Sequence, residues 1–215
     1  MSGIIIFYVV LIIVILLLAP YLKKARVDYI GKVGEDNTLS ILQSISNNFI
    51  VIKNLFLPTS NGRYTEIDTV LITDKCIFVI ETKNYSGWIF GNEKSKYWMQ
   101  VLYQNRNHFY NPIMQNATHI KYLQKQIGYK IPIFSIIVFS NRCSFKKMDV
   151  YNDKVKVCHL NNLSNVILNI YDSTNFVMTN EAINNINKKL SLFENADEII
   201  KETHIEHIKN RYKKY

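Results

Sequence analysis

The sequence predicts an α/β fold, in which a mixed sheet is flanked by helices and preceded by one N-terminal transmembrane helix. Three observations lead to this prediction. An uncharged apolar run covers residues 3–22. Apolar segments of strand length, some alternating and some continuous, lie between residues 49 and 160. Segments with helical spacing of apolar residues precede, interrupt and follow these strands, an order typical of a layered α/β domain.

The apolar run at residues 3–22 is long enough to cross a bilayer as a helix. Lys23, Lys24 and Arg26 follow at once, and no basic residue precedes the run. Because Lys and Arg concentrate on the cytoplasmic side, we expect a single-pass protein of the cell membrane, with its N-terminus outside and its domain in the cytoplasm. A cleaved signal peptide is the alternative, but it requires a basic start, a shorter apolar core and a small-residue cleavage site.

The first half of the soluble part reads as a helix followed by strands. Leu39, Leu42 and Ile45 share one helical face, and Asn61-Gly62 marks a turn between two strands. In chain order, the expected elements are a linker at 23–30, a helix that begins near Gly34 or Glu35, a strand at 49–57, a hairpin at 66–84 and a second hairpin at 87–102 with its turn near Gly91-Asn92.

The second half begins with a well-marked helix. Asn111 is a suitable N-cap, Pro112 suits the first helical position and Gly128 suits the C-cap. The expected buried stripe of this helix is Ile113, Ala117, Ile120, Leu123 and Ile127. The continuous apolar run at 131–140 predicts a strand covered on both faces. A strand at 155–160 and helices at 162–171, 179–193 and 196–213 follow. We therefore expect a main domain at 31–160 and a C-terminal helical extension at 161–215.

Charge and cysteine content limit the partners and the compartment. The formal net charge is +9, which favours nucleic acid or anionic lipid as a partner. The alternative is a compositional bias toward Asn, Ile and Lys. Cys76, Cys143 and Cys158 have no metal-ligand spacing, so we interpret them as reduced thiols packed like small hydrophobic residues.

Charged residues lie at the open end of the first hairpin. With a turn centred on Asp74-Lys75, Asp68 falls opposite Glu81, and facing carboxylates destabilise a strand pair. A divalent cation between them removes this repulsion, and two carboxylates with a nearby backbone carbonyl are ligands that Mg²⁺ prefers. Lys83 lies on the same face as Glu81, where it is placed to orient or deprotonate a water or to neutralise phosphate charge.

Each of these residues also has an ordinary structural interpretation. A three-residue loop with a bulge at Cys76 shifts the register by one, and Glu81 and Lys83 are also typical of the polar end of a strand. Gln115, His119 and Tyr122 form a helical stripe that faces either the site or solvent, and a ligand role for His119 is the less favoured reading. For Trp88 and Trp98, core packing is favoured over stacking on nucleic-acid bases.

Four segments together resemble the nuclease-related domain (NERD) family. They are GEDNTLSIL, TEIDTVLITDKCIFVIETKNYSGWIFG, YWMQ and NPIMQNATHIKYL, in this order between about residues 31 and 140. The family is similar to the restriction-endonuclease-like PD-(D/E)xK superfamily. Two positions depart from the family pattern: Ile67 stands where a proline precedes the first acid, and Cys76 stands where we expect glycine. Neither departure removes a candidate catalytic group.

The resemblance implies an active site and an activity. It makes Asp68 the first acid and Glu81-Thr82-Lys83 the E-x-K motif, and it adds Glu35 and Gln115 as further site residues. Glu35 has the alternative of an acid favoured at a helix N-terminus. The implied protein is a membrane-anchored cytosolic nuclease that hydrolyses DNA phosphodiesters with Mg²⁺ or Mn²⁺ held by Asp68, Glu81 and the Thr82 carbonyl. The alternative is a catalytically inactive, membrane-tethered nucleic-acid-binding or signalling module.

Overall fold

The computed structural model describes residues 2–45, 48–128 and 130–194. The helices are α1 (Ser2–Ile45), α2 (Pro112–Ile127), α3 (Leu163–Ser173) and α4 (Asn180–Ser191), with a short 3₁₀ helix at Leu160–Asn162. The strands are β1 (Ile50–Pro58), β2 (Tyr64–Ile72), β3 (Ile77–Lys83), β4 (Gly87–Asn92), β5 (Tyr97–Leu102), β6 (Asn105–Tyr110), β7 (Ile133–Phe139), β8 (Cys143–Asp149) and β9 (Val155–His159).

The central sheet is mixed, with the order β1-β2-β3-β7-β9. β1, β2 and β3 are antiparallel, whereas β3, β7 and β9 are parallel. The β2–β3 pairs run from Thr69 with Ile80 to Ile72 with Ile77, which is the register expected from a turn at Asp74-Lys75. The Thr73 hydroxyl accepts the backbone N–H of Cys76 at 3.0 Å and closes this turn. The alternative register with a bulge at Cys76 is therefore wrong.

Helices cover both faces of the central sheet. On one face, apolar residues of β1, β2 and β3 pack against α2 and α4. On the other, residues of β2, β3 and β7 pack against the C-terminal end of α1 and against α3. The restriction-endonuclease-like fold class is confirmed, and so is the prediction that the apolar run at 131–140 forms a strand with both faces buried, β7. Cys76, Cys143 and Cys158 are buried free thiols, as expected.

A second sheet, with the order β6-β5-β4-β8, extends beyond the predicted hairpin at 87–102. β6 was not predicted because its first four residues are polar and exposed, and β8 likewise lacks a regular apolar alternation. Trp98 is buried against Phe139, as expected. Trp88 is 51% exposed, so the expectation that it packs in the core is wrong. Strand alternation explains this result, because its neighbour Ile89 takes the inward position in β4.

Helix α1 runs without a break from the apolar run into the domain. The expected helix start near Gly34 or Glu35 is therefore wrong, and residues 23–30, assigned to a linker, are helical. These residues contain no Gly or Pro and include good helix formers such as Lys, Ala and Arg, so nothing in them ends a helix. By length and composition, α1 is able to cross a membrane.

Helix α2 has the predicted caps. The Asn111 side chain accepts the Ile113 N–H at 2.9 Å, and Gly128 takes the left-handed conformation at φ 73°. Of the predicted stripe, Ile113, Leu123 and Ile127 are buried and Ile120 is half-buried, whereas Ala117 is exposed because Asn116 takes the buried position at this turn. The strand and the two helices expected at 155–160, 162–171 and 179–193 correspond to β9, α3 and α4. The helix expected at 196–213 lies outside the described residues.

Candidate active site

The central sheet opens at Asp68, and this opening defines the site. On the β3 side, backbone pairing ends at Thr69 with Ile80, one position before Asp68. On the β1 side, the residue opposite Asp68 is Asn54, whose left-handed φ of 51° interrupts the pairing on that edge as well. Asp68 Oδ2 accepts the backbone N–H of Thr82 at 2.9 Å, so the carboxylate takes up a donor that the β2 backbone leaves free.

Glu81 and Lys83 project from the next strand, β3, and meet side chains of α2. Lys83 Nζ lies 2.6 Å from Glu81 Oε1 and donates to Gln115 Oε1 at 3.3 Å. Glu81 is only 2% exposed, whereas the side chain of Lys83 keeps 18% of its surface accessible. His119 Nε2 lies 3.4 Å from Glu81 Oε2, and its Nδ1 lies 2.8 Å from the Thr65 hydroxyl. Gln115 and His119 of the predicted α2 stripe therefore face the site, whereas the Tyr122 hydroxyl lies 3.2 Å from Ser60 Oγ between β1 and β2.

The charges of the site act on one another. Burial and the nearby charge of Glu81 raise the pKa of Asp68 well above its usual value. Burial also acts to raise the pKa of Glu81, but Lys83 and His119 outweigh it and lower this pKa. Burial alone would lower the pKa of Lys83, but Glu81 and Asp68 raise it, so Lys83 is an ammonium at neutral pH. One acid of the pair is thus stabilised as a carboxylate, and the other carries an unrelieved electrostatic penalty.

Glu35 approaches the site from α1. A cavity of about 610 Å³ lies between α1 and the edge formed by β1 and β2, and Glu35, Asn54 and Asp68 all line it. Burial, followed by the charges of Glu81 and Asp36, raises the pKa of Glu35. Glu35 therefore belongs to the same electrostatic cluster as Glu81, and the interpretation that it is merely an acid at a helix N-terminus is wrong, because α1 begins far upstream.

The donor set fits a hard divalent cation. Glu81 Oε2 is buried and accepts no hydrogen bond, and burial together with the charge of Glu81 raises the pKa of Asp68. The amide of Thr82 faces Asp68, and a strand residue directs its N–H and C=O to the same side, so its carbonyl also faces β2. In the described part of the chain, no three His, Cys, Asp or Glu side chains form a metal site by themselves. Two carboxylates, one carbonyl and waters are the set that Mg²⁺ accepts.

The structure brings together the predicted residues Asp68, Glu81, Thr82, Lys83 and Gln115, with Glu35 on the wall of the cavity beside Asp68. Three contributions were not predicted. His119 orders Glu81, and its spacing of one helical turn from Gln115 is the signal that points to this role. Asn116 fixes α2 to the sheet, with its Nδ2 2.7 Å from the Val79 carbonyl. Asn54 interrupts the pairing opposite Asp68, and no sequence pattern marked it.

Comparisons with known proteins agree with this geometry. The family model described as the nuclease-related domain, NERD, matches residues 30–140. An uncharacterized protein of Bacillus anthracis is 31% identical over 212 residues, which cover 98% of this chain and 99% of that protein. No solved structure matches the chain. The matched residues contain the open end of β2 and β3 and the α2 residues that face it, and the chain belongs to the nuclease-related domain family, within the restriction-endonuclease-like superfamily.

Proposed function

We propose that this protein is a membrane-anchored, cytosolic, metal-dependent nuclease that hydrolyses DNA phosphodiester bonds. The observation that carries the proposal is the convergence of Asp68, Glu81 and Lys83 at the open end of two neighbouring strands. An ordinary strand end has no reason to bury a carboxylate at 2% exposure beside a second acid of raised pKa. Membership of a nuclease-related family supports the same assignment.

The chain supplies the ligands of a metal ion and the groups around it. Asp68, Glu81 and the Thr82 carbonyl would hold Mg²⁺ or Mn²⁺. Bound there, the metal supplies Lewis acidity toward a phosphoryl oxygen and lowers the pKa of a water. Glu35 faces the same cavity as Asp68 and is placed to accept a hydrogen bond from a water or a metal-bound water.

Lys83 supplies positive charge at the reacting phosphate. Its Nζ is held between Glu81 Oε1 and Gln115 Oε1, which fixes its direction. Because Lys83 is an ammonium here, its role is to orient the attacking water and to stabilise the charge that develops on the phosphoryl oxygens. Gln115 is a positioning residue, because it contacts Lys83.

The test is cleavage by the full-length chain in detergent, with plasmid and single-stranded DNA, in Mg²⁺ and in chelator. We expect cleavage that requires the metal. Lys83→Ala should retain Mg²⁺ binding, since an ammonium is no ligand, and lose turnover by a factor of about 100 or more. Lys121→Ala, at an exposed position of α2, is the matched control and should cleave normally.

Two results would contradict the proposal. Cleavage by Lys83→Ala at the wild-type rate would mean that the E-x-K assignment is wrong. A wild-type protein that binds nucleic acid but cuts neither DNA nor RNA would support the inactive binding module. One observation favours that alternative: the Lys83 ammonium and His119 already flank the two oxygens of Glu81.

The N-terminal half of α1 supports the membrane anchor. Its large apolar side chains between Ile4 and Leu18 are all exposed, at 41% or more, so the described part of the protein does not bury them. A continuous apolar surface of this size on a helix end is suited to a bilayer. Lys23, Lys24 and Arg26 follow it and favour the cytoplasmic side for the domain.

A further inference from the structure

The outer face of the second sheet carries an exposed aromatic side chain close to the candidate active site. Trp88 of β4 has 51% of its surface exposed, although tryptophan is mostly buried in folded proteins. Val101 and Ser144 are its cross-strand neighbours on β5 and β8, and Arg106 of β6 stands opposite Val101. Directly opposite residues share a sheet face, so these four side chains form one outward row.

This face is basic around Trp88. Lys146 sits at a bulge in β8 and places its Nζ 4.9 Å from the centre of the Trp88 ring. The other charged residues of the four strands are Arg106, Lys147 and Asp149. Asp149 lies at the far end of β8, 3.8 Å from Lys147. The end of the sheet near Trp88 therefore carries positive charge without an acid from these strands.

A second aromatic side chain stands at the same end. Tyr103 is 93% exposed at the tip of the β5–β6 turn, where its backbone takes a left-handed φ of 54°. We define the Trp88 surface as the side chains of Trp88, Tyr103, Arg106 and Lys146. It combines stacking groups with phosphate-binding groups, which is the composition of platforms for single-stranded nucleic acid.

The Trp88 surface is fixed to the end of β3 that carries the candidate active site. Trp88 lies five positions after Lys83 in the chain, which limits the Cα–Cα distance to about 18 Å, a few nucleotides of an extended strand. The connecting segment is held in place, because Gln100 Nε2 donates to the Ser86 carbonyl at 2.8 Å and Arg142 donates to Asn84 Oδ1 at 2.9 Å.

We propose that the Trp88 surface binds an unpaired strand of DNA that flanks the site of cleavage. A base stacks on the indole in place of the Lys146 ammonium, and Lys146 and Arg106 contact phosphates on either side. A duplex presents no free base face here, so the surface selects single-stranded regions or frayed ends. The inference rests on the proposed function for its ligand class and adds which form of DNA is held and where.

The first experiment measures binding separately from cleavage. The full-length chain in detergent is titrated, in EDTA, with a fluorescently labelled single-stranded oligonucleotide, and anisotropy is recorded. Trp88→Ala should weaken binding by about 5- to 150-fold, the range for loss of one stacked base. Trp88→Phe should retain most of the affinity. Lys146→Gln should make the affinity less dependent on salt, with a slope of log affinity against log salt that is smaller by about one.

The matched control is Tyr151→Ala. Tyr151 is also aromatic and 74% exposed, but it follows β8 at the opposite end of the sheet. This variant should bind as the wild type does. A fully paired duplex of the same sequence should bind wild type and Trp88→Ala with similar affinity.

Intrinsic fluorescence gives an independent readout. The chain has two tryptophans, and Trp98 is only 1% exposed, so quenching by a stacked base reports on Trp88. Trp88→Phe should abolish the quenching by single-stranded DNA. In the Lys146→Gln variant the quenching should remain, which verifies that the base still stacks on Trp88. Quenching that persists in Trp88→Phe would overturn the proposal.

The outcomes separate this inference from the proposed function. Wild-type affinity in Trp88→Ala overturns the Trp88 surface, whether or not the protein cleaves DNA. Loss of binding in that variant supports the surface even if the wild type cuts nothing. The fluorescence of Trp88 is also measured with anionic and with neutral lipid in nanodiscs. A response to anionic lipid alone, with no response to the oligonucleotide, would assign the surface to the membrane and overturn it as a DNA site.

Discussion

At the scale of single residues, Asp68 differs most from its neighbours in backbone pairing and in electrostatic environment. Backbone pairing is interrupted at its position on both sides of β2, its carboxylate accepts a backbone N–H from Thr82, and it sits beside a second acid. Burial and Glu81 raise its pKa, so the folded protein binds a proton more tightly at Asp68 than the unfolded chain does. The metal-free protein must therefore lose stability as the pH rises from the usual aspartate pKa of ~3.9 through the raised value.

Asp68→Asn should remove this loss of stability with rising pH. In chelator at neutral pH, we expect the variant to be more stable than the wild type, with a flatter dependence of unfolding free energy on pH over that window. Mg²⁺ should raise the melting temperature of the wild type and not that of the variant, which should also fail to cleave DNA. Thermal denaturation with and without Mg²⁺ measures both effects. Asp153→Asn, at an exposed position, should behave as the wild type, and a variant less stable than the wild type in chelator would contradict the assignment.

His119 is the second residue whose role is decided by contacts. It stands between the Thr65 hydroxyl and Glu81 Oε2. His119→Ala should weaken Mg²⁺ binding by about 10- to 100-fold, the effect of losing a group that orders a ligand. It should also destabilise the fold by about 1–3 kcal/mol, because it leaves the buried Thr65 hydroxyl without its hydrogen-bond partner. Calorimetric titration with Mg²⁺ measures the first effect, with Thr118→Ala, one residue away and exposed, as the control. Equal Mg²⁺ affinity in both variants would refute this role.

At the scale of secondary-structure elements, the distance between α1 and β3 determines whether Glu35 reaches the site. Gly34 lies against Asn84, and a Cβ added at Gly34 would stand 2.7 Å from the Asn84 Cβ. The Thr82 hydroxyl donates to the Thr38 hydroxyl at 3.2 Å in the same contact. Because a Cβ cannot rotate out of the way, a side chain at position 34 must push the helix away from the sheet.

Gly34→Ala should therefore lower both stability and cleavage, since the displaced helix carries Glu35 with it. Gly31→Ala, one turn earlier in the same helix, is the control, because no atom lies within 4 Å of its added Cβ. That variant should be as stable as the wild type or more stable by up to about 1 kcal/mol, the difference in helix propensity. Urea denaturation and the DNA cleavage rate measure the two effects. Similar behaviour of the two variants would show that the close approach has no consequence.

At the scale of the whole molecule, α1 joins the proposed anchor to the site. Leu22 and Glu35 are 13 residues apart in one helix, which corresponds to about 20 Å along its axis. A continuous helix fixes both the distance and the orientation of the domain relative to the proposed anchor, whereas a flexible linker would fix neither. The proposed anchor would thus hold the opening at Asp68 at a defined height above the bilayer.

The orientation of the anchor is testable in cells. Protease added to intact cells should leave the domain uncut, because the basic residues after the apolar run favour the cytoplasmic side for the domain. Permeabilised cells are the control, in which the same protease should digest the domain. Efficient digestion from outside intact cells would contradict this topology.

Much of the local architecture follows from the sequence by itself. The caps of α2 and the β2–β3 register rest on interactions between residues close in the chain, such as Asn111 with Ile113 or Thr73 with Cys76. Such patterns are readable because the physical cause and its effect lie within one element. The placement of Asp68 next to Glu81 followed from that register.

The tertiary structure decided what depends on residues distant in the chain. The contact of His119 with Glu81 and Thr65 requires α2 to pack on the sheet, and the approach of Gly34 to Asn84 requires α1 to pack against the end of β3. Strands β6 and β8 form from polar sequences because neighbouring strands offer backbone partners. This backbone pairing leaves no pattern in the side chains of β6 and β8. The sequence by itself determined that Asp68, Glu81 and Lys83 stand at one end of a strand pair. Packing determined which other groups join them and which atoms meet, because burial and long-range pairing are properties of the assembled layers.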